Sequence, residues 1–447
     1  MKYTEQIHRI KEKLQQAQKA DPDYKVFGAD SHEYKLGKPI SEEKLQQLEQ
    51  KYGIRLPECF RSFLLHIGNG GKGRYGGAAP FYGLYAIDKC LKESKEQLAY
   101  PCVIYPKMSE EAWDKLIEKT YDEDITDDEY DLTINKAFGS LLTFGTQGCT
   151  YETAIVLEGE HRGRIVNTDM DLFKPYFAFE KNFLDWYERW LDEVISGEIL
   201  YIANGFSYEM GGSAAELLAF FENSTEKEDK TDALEGLRCK KPPLDAEILA
   251  KVEAYAQKQD DFFTYWATIL CISDFNRAKK YFGELAERDL LRFFQNIHWY
   301  SPDKQTDSNE LLPIIREKLP HITDEETLRF GGYVLRETGV DYGEWLLPFA
   351  ENQDYKTRST AFYFLGQLKN KEKYLDTFIK GLHEEKPYVL TTVLQALHGV
   401  SDRVLLPHYQ RLAQRFPTED EDYVYININH RLKDFGLTVK KILKMRF

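Results

Sequence analysis

Apolar positions follow two regimes along this chain: helical spacing mixed with short β-like runs up to about residue 200, and helical spacing almost alone thereafter. Ile7, Ile10, Leu14 and Ala17 predict an amphipathic helix over 1–20, stopped by Asp21-Pro22-Asp23. Ser41-Glu42-Glu43-Lys44 offers a side-chain oxygen to the free N–H groups of a first helical turn. Leu45, Leu48 and Tyr52 carry that second helix to Gly53. A third starts at Leu56-Pro57, where proline sacrifices no hydrogen bond. Phe60, Phe63, Leu64 and Ile67 are its apolar stripe, and Gly68-Asn69-Gly70-Gly71 ends it. Strands are predicted at 81–87, 141–144, 151–157 and 164–167, separated by glycine and charged turns. Phe183, Leu184, Trp186, Tyr187, Trp190 and Leu191 then build an aromatic helix ending near Gly197. Helices and strands in this order predict an α+β domain over 1–204.

Gly205 to Gly212 reads as a linker, 205–212, ahead of an all-α region over 213–447. Helices are predicted at 214–222, 246–257, 262–271, 284–298, 325–337, 356–368, 374–383, 388–397, 404–416 and 423–435. Ala361-x-x-x-Leu365-Gly366, Leu394-x-Ala396-Leu397 and Ile428-x-x-x-Leu432 recur about every 30 to 35 residues. A single helix pair cannot bury its apolar face alone, whereas stacked pairs form a continuous core. The period and the Ala/Leu/Gly seam resemble short HEAT-type repeats, with a plain helical bundle as the alternative.

Charge adds a third feature. Between 107 and 135 lie eleven Asp/Glu against three Lys, about half of the chain's formal net charge of -15. The ordinary reading is a solvated helical insertion; the sharper one is a surface for a basic protein partner. The overall sign disfavours nucleic-acid binding. Six cysteines (59, 90, 102, 149, 239 and 271) include no Cys-x-x-Cys pair, which predicts reduced, buried thiols. With no secretory core at the N-terminus and no run of 18 apolar residues, a cytoplasmic protein without membrane contact is expected.

Motifs of catalysis lack their context in this chain. Gly68-Asn69-Gly70-Gly71-Lys72-Gly73 fits G-x-G-x-x-G, yet it ends a helix rather than opening one, so no nucleotide cofactor is expected. Gly71-Lys72-Gly73-Arg74 lacks P-loop spacing, and neither His-Glu-x-x-His nor Gly-x-Ser-x-Gly occurs. Cys102 or Cys149 with His161 would make a nucleophile and base, but no orienting group is apparent. Acidic pairs such as Asp127-Asp128 need a cleft before they do acid–base work. The Trp186/Tyr187/Trp190 cluster reads as core.

Several stretches together carry a family resemblance. They are Phe27-Gly28-Ala29 with His32 and Tyr34-Lys35-Leu36; Pro39-Ile40-Ser41-Glu42; and Tyr52-Gly53-Ile54-Arg55-Leu56-Pro57 with Phe60, Arg61, Phe63, Leu64 and Gly68-Asn69-Gly70-Gly71. Gly83-Leu84-Tyr85, Gly148-Cys149-Thr150-Tyr151, Val156-Leu157, Arg162-Gly163-Arg164-Ile165-Val166 and the aromatic helix follow in order. This constellation over 27–197 resembles the SUKH (Smi/Knr-like) superfamily, with the 107–135 insertion as a departure. The resemblance implies helices on a mostly antiparallel sheet, a ligand groove, and no shared catalytic residues, cofactor or metal. In bacteria it implies chiefly immunity proteins that neutralise a partner toxin, often a nuclease. Candidate contacts are Tyr75, Tyr82, Tyr151 and Tyr176 as rigid anchors. Arg74, Arg162 and the acids at 122–131, Asp124, Asp127 and Asp128 among them, are candidates for charge complementarity. A scaffold or regulatory adaptor without a toxin is the alternative, and an enzyme with an unrecognised site a more distant one.

Overall fold

A computed structural model describes residues 2–71, 76–202, 205–417 and 423–447. The chain divides into two compact units, Met1–Ile248 and Leu249–Phe447.

In the first unit, α1 (Thr4–Ala20) buries Ile7, Ile10 and Ala17. Helix α2 (Glu42–Tyr52) is capped by Ser41, whose Oγ accepts from the Lys44 N–H at 3.3 Å, and Gly53 closes it in the left-handed region. Helix α3 (Glu58–His66) follows Pro57, and α4 (Ile87–Glu93) comes after the glycine loop. Two acidic helices, α5 (Glu110–Ile117) and α6 (Asp127–Ala137), precede an antiparallel meander. Its strands are β1 (Leu141–Gly148), β2 (Tyr151–Val156), β3 (Ile165–Asp169) and β4 (Tyr176–Phe177). Helix α7 (Phe183–Ser196), α8 (Ala214–Asn223) and α9 (Lys227–Arg238) complete the elements that matter below.

Side chains alternate across the pleat, so the sheet has two apolar faces. Leu142, Phe144, Ile155, Leu157, Ile165 and Ala178 pack with α1 to α4 and α7 in the larger core. Leu141, Ala154, Val156, Val166 and Phe177 face the other way, onto Trp113 and Ile117 of α5 and Ile134 and Ala137 of α6. The acidic segment is therefore a lid on the second face of the sheet. Its apolar stripe, spaced as a helix requires, is buried while its carboxylates stay outside. Trp186, Tyr187 and Trp190 are core residues: the Tyr187 hydroxyl donates to the Ala78 carbonyl at 2.6 Å.

Three local expectations differ from the structure. The 81–87 stretch is no strand: Leu84 forms an isolated bridge with Gly77, Tyr85 N–H donates once to Phe144, and α4 begins at Ile87. Strand β4 was not foreseen, because two residues give no periodicity. Residues 205–212 are no exposed linker. Phe206 and Ser207 are buried, and Ser207 Oγ accepts from the Trp186 indole N–H at 3.1 Å and the Asn167 amide at 3.3 Å. The segment packs with the first unit because its aromatic residues complete that unit's core.

The second unit is helical among its described residues. Helices Leu290–Tyr300, Glu325–Thr338, Tyr355–Gly366, Pro387–Ala396 and Tyr423–Lys433 pack each on the next. Gly343–Ala350, Leu375–Gly381 and Leu406–Arg415 form a second row against them. The predicted 284–298 helix is broken at Asp289, whose carboxylate caps the Leu290–Tyr300 helix instead. The small-residue seam is a contact: a Cβ on Gly366 would lie 2.6 Å from the Ala396 Cβ, so the two helices meet backbone to backbone there.

Candidate partner-binding groove

Helix α9 lies in a stretch from which no element was predicted, although Ala233, Leu234 and Leu237 have helical spacing and are buried. With β4 and residues 206–210 it forms a groove in the first unit. One end, about 360 Å³, is lined by Tyr176, Phe179, Tyr208, Met210, Asp232 and Glu235. The other, about 150 Å³, continues past Tyr176, Phe177, Phe179 and Asp232 to Pro106, Lys107 and Met108. Tyr176 and Tyr208 have ring centroids 5.5 Å apart, and the Tyr208 hydroxyl donates to Gln147 Oε1 at 3.0 Å. That bond belongs to a polar ladder on the sheet, where the Gln147 amide donates to Thr153 Oγ1 at 3.1 Å and Asn167 Oδ1 at 2.8 Å. Rings held this way suit a binding surface, since little rotamer freedom remains to be lost.

Charges of both signs line the groove: Arg238 pairs with Glu235 at 2.7 Å, and Arg164 and Lys174 stand at the far end. Lys107 meets Asp229 at 2.7 Å, Glu228 at 3.3 Å and Asp232 at 3.8 Å, one cation among three carboxylates. Burial, with Glu228 and Asp229 adding to it against Lys107, pushes the Asp232 carboxyl up to about 6. Burial also raises the Tyr176 phenol, helped by Asp232, and takes Tyr208 up to about 12.

Beyond Lys107 the chain enters α5 and α6. All eleven Asp/Glu of 107–135 are exposed, and among the described residues Glu110 alone of them has an ion-pair partner, Lys174 at 3.1 Å. Asp127 and Asp128 stand in the first turn of α6, where their charge favours the helix dipole; Thr126 and Glu129 form its capping box. Asp124 sits in the turn before it, its N–H donating to Asp122.

The sequence candidates divide by location. Tyr176 lines the groove, and the exposed Tyr151 lies on β2 opposite Gly148 and Asp169. Tyr82 packs its ring 5.1 Å from that of exposed Phe27 and against the Gly148 backbone. Arg162 is elsewhere. Its guanidinium donates to the carbonyls of Arg55 (2.7 Å), Leu56 (2.8 Å) and Leu157 (2.8 Å), tying the β2–β3 turn to the loop before α3. Arg74 and Tyr75 lie outside the described residues. Tyr208, Met210, Asp232 and Glu235 were missed by sequence reasoning, because 205–212 read as linker and α9 went unread; Phe179, between β4 and α7, was missed with them.

Cys149 is exposed in the β1–β2 turn with φ 49°, not buried as expected. His161 is at the opposite end of β2, so the two do not form a nucleophile and base. Cys59, Cys90, Cys239 and Cys271 are buried, and Cys102 is half-buried. No helix among the described residues is long and apolar enough to cross a membrane.

The model of the SMI1 / KNR4 family (SUKH-1) matches residues 39–189. That stretch holds the whole sheet, α2 to α6 and the first half of α7, so the first unit carries a SUKH-1 region. It covers about a third of the chain. No curated protein and no solved structure matches.

Proposed function

We propose that this chain is an immunity-type protein that binds and neutralises a basic partner toxin. The observation that carries the reading is the pairing of an aromatic groove with an adjoining acidic face, the acidic face and the Tyr176 and Phe179 wall of the groove lying within the SUKH-1 match. Tyr176, Phe179 and Tyr208 serve as rigid anchors, the residue type that dominates binding hot spots. The exposed carboxylates of α5 and α6 raise the local concentration of a cationic partner and orient its approach. The stacked helices of the second unit are read as HEAT-like repeats offering a further protein-binding surface.

The test is capture of the partner from the native cell, followed by co-expression of that partner in a permissive host. Growth arrest by the partner alone, relieved by this chain, supports the immunity reading. A captured partner that is a housekeeping enzyme and never toxic favours the adaptor alternative. Turnover of a small substrate by the purified chain, abolished by one side-chain change, overturns both.

A further inference from the structure

The second unit holds a cavity of its own, about 490 Å³ in volume, between the end of the Leu312–Lys318 helix with the turn after it and the Gly343–Ala350 helix. Arg316, Leu319 and Pro320 follow one another at i, i+3 and i+4, as do Trp345, Pro348 and Phe349, so each segment turns one stripe towards it. With Ile322 these side chains give an apolar wall, and Arg316 and Asn352 are the polar members.

That polar inventory is one-sided, because no lining residue is a carboxylate. The Arg316 guanidinium lies over the Trp345 ring, 5.5 Å from its centroid. The neighbouring acids are engaged by other cations: Glu317 by Lys318 at 2.9 Å, Glu344 by Lys373 at 3.1 Å and Glu351 by Lys380 at 2.7 Å. Among the described residues none is left to pair with Arg316. Both oxygens of Asn352 already accept, the backbone one from Arg358 Nη1 and the side-chain one from the Asp354 N–H, each at 2.8 Å. What Asn352 has left is its NH2 group. Donors without acceptors beside an apolar wall are the complement of an anion that carries an apolar body.

We infer that this cavity binds a small amphipathic acid, its carboxylate received by Arg316 and Asn352 and its hydrocarbon or aryl body resting on Trp345, Phe349, Leu319 and Ile322. A guanidinium stacked on a ring is held ready, and its planar fork matches a carboxylate. The volume falls in the range of small-ligand clefts. Helices and a turn offer no strand edge to a peptide main chain, whereas a free acid has no amides to satisfy. Nothing in the groove of the first unit enters into this site.

The experiment is calorimetric titration of the full chain at pH 7 with octanoate, with acetate, with neutral 1-octanol, and with the peptide acetyl-Ala-Ala-Leu bearing a free carboxylate. Saturable one-to-one binding of octanoate is expected, weakened about tenfold or more in Arg316→Gln. It should be unchanged in Arg403→Gln, which removes the same charge from another exposed position of this unit. Arg316 is itself exposed, so its replacement leaves the fold in place, as circular dichroism can verify. Failure of octanoate to bind, undiminished affinity in Arg316→Gln, or an equal loss in Arg403→Gln overturns the assignment. So does binding of 1-octanol or acetate as tight as that of octanoate, or tighter binding of the peptide.

Discussion

Replacing Trp113 by alanine removes the side chain that moors the acidic helices to the sheet. Trp113 is fully buried, its ring centroid lies 5.4 Å from that of Phe138, and its indole N–H donates to the Leu172 carbonyl at 2.8 Å. Truncating a buried tryptophan costs about 3–5 kcal/mol, and leaving the carbonyl unpaired adds about 1 kcal/mol. The cluster around Trp113 is separated from the larger core by the sheet, so the loss falls on local opening of α5 and α6. A drop of about 4 kcal/mol corresponds to about a thousandfold rise in the opening constant. Hydrogen exchange with peptide resolution is the assay. Amides of 110–137 are expected to lose protection by about that factor while those of α7 keep theirs. Trp113→Phe, which retains a ring and loses the N–H, should show a smaller effect of about 1–2 kcal/mol. Equal loss across α7, or no loss over 110–137, would refute the claim that this segment is a separately anchored lid.

Other perturbations test other links. Glu188 of α7 accepts from Arg9 Nε at 2.8 Å, Lys13 at 2.9 Å and Gln6 at 3.1 Å. Burial alone would raise its carboxyl, but these donors hold it down at about 2. Because the folded value is depressed, its contribution is fully present above the ordinary range near 4.5 and is lost as pH falls towards 2. Glu188→Gln should therefore destabilise the α1–α7 contact at pH 7 by about 2 kcal/mol after allowance for solvent screening. The gap from wild type should shrink as pH falls below about 4.5 and close only below about pH 2, measured as exchange protection of α1; a pH-independent gap would count against the linkage. In the second unit, a Cβ on Gly332 would sit 2.2 Å from the Phe364 ring. Gly332→Ala is expected to lose about 1–3 kcal/mol by overpacking, whereas Gly283→Ala, where that Cβ meets open space, should cost nothing; urea titration compares them. For the triple change Asp124/Asp127/Asp128→Asn, association with the captured partner should slow about tenfold at low salt and converge on wild type near 1 M. A rate ratio that ignores ionic strength would remove the steering role of the acidic face.

Much of the first unit was legible because its signals are local. Ser41 as a cap, Gly53 and Gly197 as stops, and the aromatic stripe of α7 each depend on neighbours a few residues away. The short β-like run of 151–157, bounded by glycine and charged turns, gave β2, while β4 pairs only Val166 with Phe177 and Asn167 with Tyr176, too little to leave a period. Tyr176 was picked for its type alone. The residues beside it come from 206–210 and α9, brought there by tertiary packing that no spacing rule reports. Residues 205–212 misled because glycine at each end signals a turn whether the segment between is solvated or buried. The acidic stretch misled in a different way. Its charge count is dominated by the outward face, and Trp113, Ile117 and Ile134, which fix its place on the sheet, are few among many carboxylates.

The central claim is that a partner protein is held at the groove of the first unit. A photo-crosslinking amino acid placed at Phe179 in the native host addresses it directly, with the same probe at exposed Glu351 of the second unit as the reference position. The account expects one dominant adduct from position 179, identified by mass spectrometry as a basic protein, and weakened when Tyr208 is changed to Ala. A partner that crosslinks from position 351 and never from 179, or an adduct at 179 indifferent to Tyr208, would contradict it.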